Sequence, residues 1–317
     1  MDANHFRLLS ILNPYAVRQY QRVVSDRIRF VHYSSAEAAM KMIGNGEVWM
    51  RRASLMNDFR EVDYGIECLS SAYRSQHGDR FKKMVDDHFP GIRQEVEQLI
   101  NDWSPMLADE TFITCMSEHD DREDEIGRLS MWRAYGGRTG VAIVLNPTPF
   151  FSTTDALKAY SSPVAYFTKG EFVQHFEELV ACMNREMPFL KTCGQETVRG
   201  YLFNAFKLSL LCTKHPGFRE EREWRVYYSP KISRSSVISE DLVSLSGLPQ
   251  HVQKIPLRNI PQEGLLGIDP KELIDRVIVG PTEFPFALKE VFVDLLQGKG
   301  VADPRSRVLV SHIPLRL

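Results

Sequence analysis

One segment restricts the fold more than any other: EREWRVYY, residues 221–228, alternates its side-chain character with a strict period of two. In a strand, that period places Glu221, Glu223, Arg225 and Tyr227 on one face and Trp224, Val226 and Tyr228 on the other. The tryptophan face is the core face, so two carboxylates line the opposite one. Held that close, they repel each other unless a cation sits between them. The competing reading is an edge strand whose charges are simply solvated.

The rest of the chain is read against this strand. RIRFVHYSS, residues 27–35, alternates in the same way and puts Phe30, His32 and Ser34 on one face. Ser35 can cap a following helix, in which Ala38, Ala39, Met42 and Ile43 recur at helical spacing until Gly44 and Gly46 stop it. EVWMR predicts a short second strand, and LMNDFRE a loop in which Asn57 and Asp58 supply turn chemistry. From 62 to 108 the pattern is helical and charged, broken by Gly78 and Pro90-Gly91, and predicts a helical insert. TFITCMS (111–117), an acidic loop EHDDREDE (118–125), a short helix LSMWRAY (129–135), the turn GGRTG and the strand VAIVL (141–145) follow. Helical spacing returns over 171–187 and 196–212, and short strands are predicted around 254–257, 276–279 and 307–311, with a helix near 286–296. About nine short strands in no βαβ rhythm point to an α+β fold with a mixed or antiparallel sheet. The expected organisation is a single domain, 1–317, with 62–108 as the insert.

Composition removes several classes of function. Lys+Arg number 39 against 41 Asp+Glu, so no global field draws the chain onto nucleic acid or anionic lipid. The N-terminal segment lacks the apolar core of a signal peptide, and no stretch approaches the roughly 20 apolar residues that span a bilayer. Five scattered cysteines without C-x-x-C spacing suit reduced thiols in a cytoplasm better than disulfides or a zinc site. The expectation is a cytoplasmic protein with no membrane partner. Phosphate-loop, dinucleotide-fold, zincin and nucleophile-elbow motifs do not occur, and GGRTG is only a turn.

Three further features can carry chemistry. His32 is either a satisfied core or rim histidine or a hydrogen-bond donor to a ligand's ribose or carbonyl. Trp132 and Tyr135, at i and i+3, are core aromatics or a platform on which a flat ring stacks. The acids of 118–125 form a solvated loop or, less simply, a Mg²⁺ site; no metal is expected.

Taken together, FVHYSS, the VWM strand, LMNDFRE, FITCMSE before LSMWRAYGG and GVAIVL, and FREEREWRVYY resemble the bacterial family catalogued as domain of unknown function 2971, over roughly residues 28–280. Where that family commonly has proline after Asn-Asp, this chain has Phe59. A second resemblance, to ADP-ribosyltransferases, implies a split mixed sheet that grips NAD⁺ with a first-strand His, a central Tyr or Ser, and a late Glu. On that resemblance His32, Ser34, Ser117, Trp132, Tyr135 and Arg133 or Arg138 would hold NAD⁺, consumed as a substrate. Glu223 would stabilise the ribose cation, and Glu221 would orient or deprotonate the nucleophile. The implied function is transfer of ADP-ribose to a macromolecular acceptor, protein or nucleic acid, as a toxin or defence effector. Two alternatives stay open: a nucleotide-binding regulatory module without turnover, and a metal-dependent phosphodiesterase or nuclease using the 118–125 acids with Glu221 and Glu223.

Overall fold

A computed structural model describes residues 3–56, 61–152, 154–245 and 247–314; the predicted turn residues Asn57, Asp58 and Phe59 lie outside them. The chain divides into two compact units, one made of 1–24, 53–110 and 162–219, the other of 25–52, 111–161 and 220–317.

The first unit is helical. The predicted helical stretch 62–108 forms three helices, Glu61–Tyr73, Gln76–His88 and Ile92–Glu110. Its first break falls at Ser75, whose hydroxyl accepts from the His77 and Gly78 amides, rather than at Gly78. These helices share a core with Lys169–Arg185 and Gln195–Leu211, where the rings of Tyr73, Phe81, Phe176 and Phe206 sit 5.5–6.5 Å apart. Gly65 permits the closest crossing, because a Cβ there would lie 2.5 Å from the Leu210 carbonyl oxygen.

In chain order the strands are β1 (Arg29–Ser35), β2 (Glu47–Arg52), β3 (Phe112–His119), β4 (Gly140–Leu145), β5 (Ala159–Pro163), β6 (Ala165–Tyr166), β7 (Thr213–Lys214), β8 (Glu223–Tyr228), β9 (Ser239–Leu245), β10 (Leu248–Pro256), β11 (Ile274–Val279) and β12 (Val308–Val310). β6 and β7 form a small parallel pair; the other ten make one mostly antiparallel sheet, in which β11 and β12 run parallel. The mixed α+β class with a mostly antiparallel, open sheet is as the strand pattern predicts. Hairpin β9–β10 is the main addition. The sequence reading reached only its end near Lys254, because β9 is largely exposed and carries no alternating apolar face.

The second unit is organised around β3. One edge of β3 pairs with β8 from Phe112 to Ser117. Its other edge is shared: β1 takes Ser117–His119, and β2 takes Phe112 and Ile113. β1 then continues along β4, and β2 along β10. The two strands therefore splay away from β3 at Thr114–Met116, and the sheet splits there. The local chemistry of β1 is as expected: Ser35 Oγ accepts from the Ala38 amide to start the helix Ala36–Asn45, and Gly46 closes it at φ 67°.

Candidate functional site

Every candidate residue from the sequence lies in the sheet-bearing unit. The alternation of β8 holds from Glu223 onward, but Glu221 is not on the strand. Arg222 between them adopts φ 44°, a left-handed conformation that costs a non-glycine residue roughly 1–3 kcal/mol. Its carbonyl still accepts from the Glu118 amide at 2.9 Å, so the kink is where the β3–β8 ladder ends. The expectation that both glutamates line one strand face is corrected accordingly: Glu221 swings out of the pleat, and the Tyr135 hydroxyl donates to its Oε1 at 3.2 Å. Both side chains of that pair are partly exposed.

Glu223 remains on the pleat and is buried, as is Arg225 two positions on. The guanidinium donates from Nε to Glu223 Oε1 at 2.7 Å and from Nη2 to Oε2 at 3.4 Å. This is the cation that repulsion between neighbouring acids calls for, supplied by the strand itself at the i+2 position. Ser117, the direct cross-strand partner of Glu223, is buried on the same face.

Tyr135 is presented by an unusual turn. The predicted helix LSMWRAY is one α-turn, Leu129–Met131, followed by a π-helical turn, Trp132–Gly136. Such turns interrupt regular helices and recur at functional sites. Arg128, immediately before it, is a residue that the motif search passed over. Its amide donates to Tyr33 Oη at 2.8 Å, and its guanidinium reaches the Glu220 carbonyl (2.9 Å), the Glu118 carbonyl (2.8 Å) and the Glu123 carboxylate (3.0 Å). One side chain thus ties the turn that carries Tyr135 to the segment that carries Glu221. Burial holds the Tyr33 phenol up to about 12, so it stays a neutral acceptor for that amide.

His32 does not join this group directly. Val31 pairs with Ser117, so Val31, Ser117 and Glu223 face one way while His32 and Phe30 face the other, where Phe30 meets the Trp224 ring at 5.1 Å. The expected clustering of His32, Tyr135 and Glu223 side chains is therefore not what the pleat gives. Instead, the imidazole sits where β1 leaves β3: Nδ1 lies 2.9 Å from the Cys115 carbonyl oxygen. A carbonyl only accepts, so Nδ1 carries the proton. Burial lowers the His32 pKa and keeps the ring neutral, which leaves Nε2 as an acceptor rather than the donor expected. Ser34 turns its hydroxyl onto the Ser35 carbonyl.

The two aromatics of the expected stacking platform part company. Trp132 is fully buried, edge-on to Tyr33 at 4.8 Å, with its indole N–H on the Ile126 carbonyl. Gly127, at φ 68°, makes room for it, since a Cβ there would lie 2.6 Å from the indole. Trp132 is a core residue and is withdrawn as a ligand contact; Tyr135 remains. Arg133 and Arg138 are both exposed on the turn.

The acidic loop is cross-linked by arginines, while Asp121, Arg122 and Glu125 stay exposed. Glu118 belongs to β3 and accepts from the Trp224 indole at 3.0 Å. Arg29 bridges Asp121 and Asp124, each at 2.7 Å, and also pairs with Asp275; Arg276 takes the other Asp124 oxygen at 2.6 Å. Glu123 goes to Arg128, and Asp120 to Arg122. His119, fully buried, holds Asp124 at 2.8 Å, and burial lowers its pKa. Among the described residues no group of three His, Cys, Asp or Glu is arranged to hold a metal ion. In the helical unit, a cavity of about 40 Å³ is lined by Tyr15, Phe167, His175 and Phe206 among others, none of them candidates from the sequence.

Residues 131–226 match the family model described as Protein of unknown function (DUF2971). The resemblance read from the sequence holds over that segment, which contains MWRAYGG and most of EREWRVYY. It is narrower than the expected 28–280, and FVHYSS, LMNDFRE and FITCMSE precede it. No curated protein and no solved structure matches the chain. No described helix is long and apolar enough to cross a membrane.

Proposed function

We propose that the sheet-bearing unit is an ADP-ribosyltransferase-like module that binds NAD⁺ and breaks its nicotinamide–ribose bond, with Glu221 as the carboxylate nearest the sugar. The observation that carries this reading is the Tyr135–Glu221 pair, a partly exposed phenol on a carboxylate, beside the buried Glu223–Arg225 pair. As the bond breaks, its electron pair leaves with nicotinamide and positive charge develops on the ribose; a carboxylate there stabilises that charge. The acceptor nucleophile then bonds to the anomeric carbon, and its proton passes to Glu221. Tyr135 orients Glu221 and offers its ring edge to nicotinamide. Glu223 is too enclosed to reach a sugar while it holds Arg225; its role becomes positioning the base of the site.

A binding module without turnover is the second reading. It is favoured by the pleat that sends His32 and Glu223 to opposite faces. Incubation with NAD⁺ and chromatographic measurement of free nicotinamide separates the two. The catalytic reading expects release that Glu221→Gln reduces at least 100-fold while NAD⁺ binding persists. Binding with no release in the wild-type protein, with or without a protein or nucleic-acid acceptor, leaves only the module. If NAD⁺ does not bind at all, both are wrong.

A further inference from the structure

Arg51 is a partly buried arginine of this unit whose charge no described residue answers. It lies on β2 directly opposite Ile113, at the point where β2 holds its share of β3. Its Nε donates to Gln250 Oε1 at 3.0 Å, and Gln250 is itself 5% exposed, with its amide turned toward the Leu248 carbonyl. Gln250 is neutral: it fixes the guanidinium plane without balancing its charge. Among the described residues, no carboxylate lies within ion-pair distance of Arg51. Arg29, Arg128, Arg225 and Arg276, buried or partly buried, each hold at least one. The nearby cation Lys254 is already committed to Glu47 and Asp241, over the Trp49 ring. Burial lowers the pKa of Arg51, as expected for a cation that has lost water and gained no counter-charge.

The position adds direction. Arg51, Ile113 and Tyr227 are register partners, so Arg51 shares its pleat face with Cys115, Arg225 and Glu223. From Ile113 to Cys115, where His32 bonds across the split, is ~7 Å along the strand. Arg51 thus stands on the β2 lip of the split with its side chain on the Glu223 face, opposite to the face that His32 takes on the β1 lip. With Nε engaged, both terminal nitrogens remain for a planar, two-pronged contact, which matches a phosphate oxyanion.

We infer that Arg51 is an oxyanion-binding residue whose ligand is the diphosphate of a nucleotide lying along the split between β1 and β2. The identity of the ligand as a nucleotide rests on the function proposed above; the anion site itself does not. It also takes the diphosphate away from Arg133 and Arg138, which stand on the turn.

The test is calorimetric titration of the full chain with inorganic pyrophosphate and, separately, ADP-ribose. Arg51→Gln is expected to weaken both at least tenfold, and Arg51→Lys, which keeps the charge but not the fork, to recover part of the loss. Because Arg51→Gln can disturb folding, a second measurement uses the wild-type protein. Its Arg51 side-chain ¹⁵Nε resonance, assigned with the Arg51→Lys spectrum, is expected to shift on addition of pyrophosphate. No pyrophosphate binding, or binding that neither shifts this resonance nor changes in Arg51→Gln, overturns the assignment. The two proposals fail separately. Nicotinamide release with an unchanged NAD⁺ KM in Arg51→Gln removes the Arg51 site and leaves the catalytic reading. Arg51-dependent pyrophosphate binding without NAD⁺ binding does the reverse.

Discussion

Two acid-rich stretches of this chain, 118–125 and 220–223, have opposite fates. In the first, the fold brings arginines from three other places, Arg29, Arg128 and Arg276, to pair with the acids. The result is a cross-linked strut. In the second, a single left-handed residue, Arg222, separates Glu223, sealed against Arg225, from Glu221, turned outward onto Tyr135. Acid density by itself therefore says nothing about function. What matters is whether the chain also supplies the counter-charge.

That contrast can be broken at several points. The largest effect belongs to Arg225→Met, which takes a buried cation away from Glu223 and is expected to cost about 3–5 kcal/mol in urea unfolding. A loss under about 1 kcal/mol would mean that Glu223 is not held as described. Arg29→Met should come next, at about 2–3 kcal/mol, because it releases three carboxylates of the strut at once. If instead it were neutral, the loop would be the solvated one that its composition suggests. Tyr135→Phe should cost only about 0.5–1.5 kcal/mol of stability yet lower NAD⁺ turnover far more than that, which marks the outward pair as functional rather than structural. A proportionate loss of both would sink that distinction.

The smallest effect is a pH dependence. His32 and His119 both have pKa values lowered by burial, and His119 faces Asp124, Glu123 and Arg29. The unfolded chain then binds more protons than the folded one between the depressed folded values and about 6.5. Stability is fully present above that upper limit and falls as pH drops through the window, by up to about 1.4 kcal/mol per unit for each histidine. His32→Gln should flatten part of this slope. A slope of the opposite sign would show that the rings are charged in the folded state.

Much of the architecture was legible because short-range patterning and core burial agree. The strands with one apolar face, the capped helix after β1 and the helices of 61–110 all announce themselves by periodicity. Failures came where that signal is absent or misleading. β9 is exposed over its first four residues, Leu242 included, and half-buried only at Val243 and Leu245, too short a run to show a period. Trp132 and Tyr135 are equivalent on a helical wheel, yet a π-turn and the space left by Gly127 bury one and present the other. Arg51 and Arg128 belong to no motif, since what distinguishes them is which groups they do or do not meet.

Local sequence determined which segments become strands and helices, and which side of β8 turns inward, because pleat and helical repeat act over a few residues. The resemblance over 131–226 is of the same kind. Only the tertiary structure decided that β1 and β2 share one edge of β3, that Glu221 leaves the strand, and that arginines meet most acids of 118–125 while no described carboxylate meets Arg51. Those outcomes depend on contacts between residues tens to hundreds of positions apart, where burial and charge balance are settled by packing and not by spacing along the chain.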